Sequence, residues 1–96
     1  MQFEWDAAKN TSNVGKHGIS FQQAQLIFDG PTLDVVDDRH DYGETRIISL
    51  GLLDGVVVLS VAHTDRAGIT RLISARKASR KERMIYYDAV QTAPNG

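Results

Sequence analysis

The sequence predicts an α+β fold: an antiparallel sheet meander with two N-terminal helices and one C-terminal helix. Two observations carry this. The hydrophobic period changes from about 3.6 to 2 after the break at Asp29-Gly30-Pro31. Beyond it, Asp54-Gly55 joins two β-rich runs, and Asp-Gly is a strong hairpin signal because a type I′ turn needs positive φ at both central positions.

Phe3-Glu4-Trp5 reads as a short extended run, and Asp6 as an N-cap whose carboxylate accepts an orphan backbone N–H. A helix is expected from Ala7 to Lys16, ended by Gly18. Ser20 and Gln23 form a capping box for a second helix, in which Phe21, Ala24, Ile27 and Phe28 recur on one face. Strands follow at 33–36, 46–53, 56–64 and 69–75, with a polar loop at 37–43 and a second tight turn at Asp65 to Gly68. Ser79 and Glu82 form a further capping box, opening a helix to Val90.

The chain has 96 residues and 10.6 kDa, which fits one domain over 1–90 followed by a flexible tail at 91–96. With 42% hydrophobic and 24% charged residues it has ordinary globular composition, which argues against a disordered or low-complexity chain. It contains no cysteine, so disulfides, thiolate zinc sites and cysteine nucleophiles are excluded. That usage fits a reducing cytoplasm, and neither a signal peptide nor a membrane span is expected from the start of the sequence or its apolar runs.

Charge is distributed unevenly. Residues 1–65 hold four basic and ten acidic side chains, a net of −6, whereas residues 66–83 hold seven basic and one acidic, a net of +6. A local positive potential of this kind can attract phosphate although the whole chain carries only −1.

Arg76, Arg80, Arg83 and Tyr87 share a face if the last helix extends back to Arg76, and guanidiniums beside a phenol suit RNA. Arg66 and Arg71 flank the second hairpin, and Glu44-x-Arg46 marks the entry to the first long strand; a glutamate among arginines serves as a base with a phosphate clamp or simply as a surface ion pair. Whether Arg46, His63 and Arg71 face one way depends on register, because alternate strand residues point to opposite faces. Lys9, Asn13, Lys16 and His17 form a polar stripe along the first helix, ending in an imidazole suited to proton transfer. The three histidines lack metal-ligand spacing, and no nucleotide-binding or nucleophile-elbow motif is present, so no metal or cofactor is expected.

Four blocks, taken in order, resemble a known family: Phe3-Glu4-Trp5-Asp6-x-x-Lys9; Asn13-x-x-Lys16-His17-Gly18-Ile19-x-Phe21; Tyr42-Gly43-Glu44-x-Arg46; and Arg71-x-Ile73-Ser74-Ala75-Arg76-Lys77-Ala78 with Glu82-Arg83. Spread over nearly the whole chain, they look like the BrnT toxins of type II toxin–antitoxin modules. The resemblance implies a fold akin to the RelE and ParE toxins and an RNA-cleaving activity that inhibits translation; with no metal site expected from the residues, cleavage would be metal-independent, by attack of the ribose 2′-hydroxyl on the adjacent phosphate. It also implies a BrnA-type antitoxin, in a two-plus-two assembly that reaches operator DNA only through the antitoxin. Arg46, Arg71 and Arg76 would surround the scissile phosphate, with His17 or Glu44 as base or acid, and Lys9, Lys16, Arg66, Arg80 and Arg83 would follow the RNA backbone. The alternative expectation is a non-catalytic family member that acts only in antitoxin binding and transcriptional autoregulation.

Overall fold

The computed structural model describes residues 1–39, 41 and 43–92. Its elements are β1 (Phe3–Glu4), α1 (Ala7–His17), α2 (Phe21–Ala24) continuing as a 3-10 turn (Gln25–Asp29), β2 (Leu33–Asp37), β3 (Arg46–Leu53), β4 (Val57–Arg66), β5 (Ile69–Lys77) and α3 (Arg80–Thr92). They form one five-stranded sheet in the order β1-β5-β4-β3-β2. Strands β2 to β5 are the expected antiparallel meander, while β1 adds itself in parallel to β5, making the sheet mixed.

Local chemistry sets the element ends. Asp6 Oδ1 accepts from the Lys9 N–H at 3.0 Å, and Gly18 at φ 69° lets the chain leave α1 in the left-handed region. Both capping boxes form, since the Gln23 N–H donates to Ser20 Oγ at 3.0 Å and the Glu82 N–H to Ser79 Oγ at 3.1 Å. Asp54 and Gly55 have φ of 54° and 70°, as a type I′ turn requires, and Ala67 and Gly68 repeat the pattern at 54° and 83°.

Some boundaries differ from expectation. The second helix keeps α geometry only through Ala24 before tightening to 3-10, which leaves Ile27 fully buried against Gly51. A Cβ on Gly51 would lie 2.9 Å from Ile27 Cβ, so the absence of a side chain there is what allows this close approach. Strand β5 runs on to Lys77, so Arg76 belongs to the sheet and not to the helix of Arg80, Arg83 and Tyr87. Helix α3 continues through Gln91 to Thr92; the rest of the expected tail, 93–96, lies outside the described residues, as do His40 and Tyr42 of the polar loop.

The sheet has two unlike faces. On one, α1, α2 and the 3-10 turn bury Ile19, Phe21, Ala24 and Ile27 against Leu59, Val61, Leu72 and Ala75, with Phe3, Trp5 and Phe28 at the margin. The other is covered at one end only. There Tyr86 and Ala78 meet Leu50 and Val58, beside Leu33 and Leu52, and the Tyr86 hydroxyl donates to the Pro31 carbonyl at 3.0 Å. Among the described residues no helix covers the remainder of that second face, here the open face, although Thr64 and Asp37 are buried within it. No helix among the described residues is long and apolar enough to cross a membrane.

Candidate functional site

Strict alternation along β5 would put Arg71 and Arg76 on opposite faces, because they are an odd number of residues apart. A β-bulge changes that parity. Ala62 pairs with Ser74 but the next residue, His63, pairs with Leu72, so Ile73 is the extra residue. Leu72 and Ala75 consequently both point into the helical core, and Arg71, Ser74 and Arg76 share the open face.

The bulge is secured from the side. Strand β1 pairs with β5 only at Thr70 and Arg71, which leaves the β5 edge bare farther along. Asn13 fills the gap: its Oδ1 accepts from the Ala75 N–H at 3.0 Å, and its Nδ2 donates to the carbonyls of Ala75 at 2.8 Å and Ile19 at 2.7 Å. Buried in this role, Asn13 is structural and not part of a solvated polar stripe.

Across the open face, register aligns a polar row. Glu4 opposes Arg71, Arg71 opposes Thr64, and Asp37 opposes Arg46; Arg46 lies one position beyond the Ile47 and His63 pair, beside Thr64. The Thr64 hydroxyl donates to the Thr45 carbonyl at 2.6 Å. Arg46, Arg71 and Arg76 thus stand on one face, and His63 stands on the other. There the Ser49 hydroxyl donates to Asp34, its oxygen lies 2.7 Å from His63 Nε2, and the His63 ring meets Phe28 edge-on. Burial lowers the His63 pKa from its usual value, against the opposing charge of Asp34.

Carboxylates hold several of these guanidiniums. Arg71 meets Glu4 at 3.5 Å, Arg39 meets Asp37 at 2.8 Å, and Arg76 meets Glu82 through two bonds of 2.7 and 3.0 Å. The hydrogen bond from Arg76 pulls the Glu82 carboxyl down to about 2, and the same bond raises Arg76, against partial burial and repulsion from Arg39. Arg39 is therefore near enough for its charge to act on Arg76. Sequence reasoning passed over Arg39, since nothing in an acidic loop indicates that its charge reaches Arg76 on a distant strand.

The other candidates group elsewhere. Glu44 pairs with Arg66 at 3.3 Å, the surface ion pair that was one of the two expectations for it. Lys9, Ser12, Lys16 and His17 line a cleft of about 240 Å³ with Ile73 and Ser74 of the bulge. Ser74 also lies on the open face with Arg76, so the His17 cleft and the arginine face adjoin there. Arg80 and Arg83 border a shallow depression along α3 with Met84 and Tyr87, and Arg83 also donates to the Ala78 carbonyl at 3.1 Å. Among the described residues, no three His, Asp or Glu side chains gather as a metal site.

Fixed guanidiniums on an open sheet face, bordered by an imidazole cleft, define a small α+β protein with a surface suited to a polyanion. A family profile described as "Ribonuclease toxin, BrnT, of type II toxin-antitoxin system" matches residues 5–82. The chain belongs to this BrnT family of ribonuclease toxins, and membership implies an antitoxin partner. Its fold is similar to the crystal structure of the Brucella abortus ribonuclease toxin BrnT, with a TM-score of 0.63 and 23% identity over 83% of this chain and 99% of that one. Comparison with curated proteins gave no match.

Proposed function

We propose that this chain is a metal-independent endoribonuclease that cuts RNA in the cytoplasm and so inhibits translation, until a BrnA-type antitoxin covers its open face. The observation that carries the proposal is the common face of Arg46, Arg71 and Arg76, which the bulge at Ile73 makes possible.

In the reaction, a base removes the proton from a ribose 2′-hydroxyl, the O2′–P bond forms and the P–O5′ bond breaks. An acid supplies the proton that the departing O5′ takes up, leaving a 2′,3′-cyclic phosphate and a 5′-hydroxyl. Negative charge builds on the phosphate oxygens at the transition state, and arginines already fixed by the fold stabilise it without reorganising. His17 is the preferred base, because its cleft adjoins the arginine face at Ser74, whereas Glu44 is engaged by Arg66. Lys9, Lys16, Arg66, Arg80 and Arg83 would follow the RNA backbone. The antitoxin would bring the DNA-binding dimer, giving a two-plus-two complex.

The test is incubation of the purified chain with RNA in excess chelator, with the new ends analysed. Cyclic phosphate ends are expected, and Arg46→Ala should slow cleavage by roughly 10² to 10³, the usual loss for one preorganised charge-stabilising donor. RNA left intact by the folded wild-type chain would instead favour the non-catalytic role in antitoxin binding and autoregulation.

A further inference from the structure

A guanidinium has five N–H donors in one plane, arranged along two edges that can each grip a pair of oxygens: Nη1 with Nη2, and Nε with Nη2. In Arg76 the first edge is taken. Nη1 donates to Glu82 Oε1 at 2.7 Å and to the Lys77 carbonyl at 3.2 Å, and Nη2 donates to Glu82 Oε2 at 3.0 Å. Those three bonds use both Nη1 hydrogens and one on Nη2. The N–H groups left over, on Nε and Nη2, form the second edge, spaced for two oxygens of one phosphate.

Glu82 is itself immobilised. Its Oε1 accepts from the Ser79 N–H at 2.8 Å within the α3 capping box, and its side chain is only 24% exposed, against 45% for Arg76. With a carboxyl pulled down to about 2, it stays ionised at any pH at which the protein would work. The more accessible partner of the pair is thus the cation, gripped from behind by a carboxylate that the helix start cannot release without losing its cap.

We propose that Glu82 is a positioning residue: by occupying one edge of the Arg76 guanidinium it turns the Nε/Nη2 edge toward the scissile phosphate of a bound RNA. The inference rests on the ribonuclease reading above. The opposite arrangement, in which Glu82 competes with phosphate for Arg76, predicts the reverse effect when the carboxylate is removed.

Glu82→Gln separates orientation from folding, because glutamine also completes a capping box and α3 keeps its start. The experiment measures kcat and KM on a short RNA for the wild-type chain, Glu82→Gln, Arg76→Ala and the double variant, with thermal unfolding of each. Glu82→Gln should lower kcat about tenfold, the scale of one charge-assisted hydrogen bond, and leave KM within about twofold. In the Arg76→Ala background the same change should have no further effect. Unchanged or faster cleavage by Glu82→Gln, with Arg76→Ala crippled, overturns the positioning role and leaves the ribonuclease reading intact. An equal loss in both backgrounds also overturns it, by showing a structural effect independent of Arg76. Full activity in Arg76→Ala also overturns it, by removing Arg76 from the chemistry, whereas no cleavage by the wild-type chain strikes at the ribonuclease reading itself.

Discussion

The two faces of the sheet are made by alternate residues of the same strands, yet they differ in nearly every respect. Beneath α1 and α2, Phe21, Ile27, Leu59, Val61 and Ala75 are completely buried in an apolar layer. On the open face, Arg46, Thr64, Arg71 and Arg76 stand among carboxylates, and α3 covers one end only. Apolar packing stabilises through the area it removes from water, whereas partly exposed ion pairs contribute little to stability. Stability is therefore concentrated on one side and fixed positive charge on the other, and substitutions should separate the two.

Substitution in the apolar layer should cost the most stability. Phe21→Ala empties a fully buried position that meets Trp5 edge-on, and should lower unfolding free energy by about 3–5 kcal/mol in denaturant titration. A loss below about 1 kcal/mol would mean that the layer is not packed as described. Arg71→Ala is the counterpart. Its pair with Glu4 is long at 3.5 Å, so stability should change by no more than about 1 kcal/mol. RNA cleavage should fall by roughly 10² to 10³. An Arg71→Ala chain that unfolds readily but cuts normally would erase the division between the faces.

A buried imidazole gives the helical side a pH dependence of its own. His63 joins Ser49 and Asp34 as a polar group on the helical side, and burial sets its pKa below the ordinary 6.5. The unfolded chain therefore binds a proton first as pH falls, so the stability associated with neutral His63 is full above about 6.5 and is lost progressively toward its lower folded pKa. The wild-type chain should lose stability across that window faster than His63→Gln does, while RNA binding by the open face is unaffected. Equal slopes for the two chains would show that the imidazole is not buried against Phe28 and Ser49.

Much of the fold was legible because its signals are local. Asp6, Gly18, Ser20 with Gln23, Asp54-Gly55 and Ser79 with Glu82 each act within a few residues, and each performs the expected role. What could not be read depends on distant partners. The parallel addition of β1 to β5, the tightening of α2 at Gly51 and the Asn13 clamp on Ala75 all join segments far apart in sequence. The bulge at Ile73 matters most for the candidate site, since counting by twos from Arg71 gives the wrong face for Arg76. Arg39 was missed for the same reason, and Asn13 was read as polar surface because its hydrogen-bond partners come from another element.

Arg46, Arg71 and Arg76 are expected to serve one phosphate-binding surface. Nitrogen-resolved NMR of the arginine Nε–H groups, during titration with a short RNA made uncleavable by 2′-O-methylation, reports on each guanidinium separately. All three signals should shift together and saturate at the same RNA concentration, while the Phe28 and His63 ring signals on the helical side stay in place. Saturation of Arg71 or Arg76 without the other, or shifts centred on the helical side, would contradict a common surface.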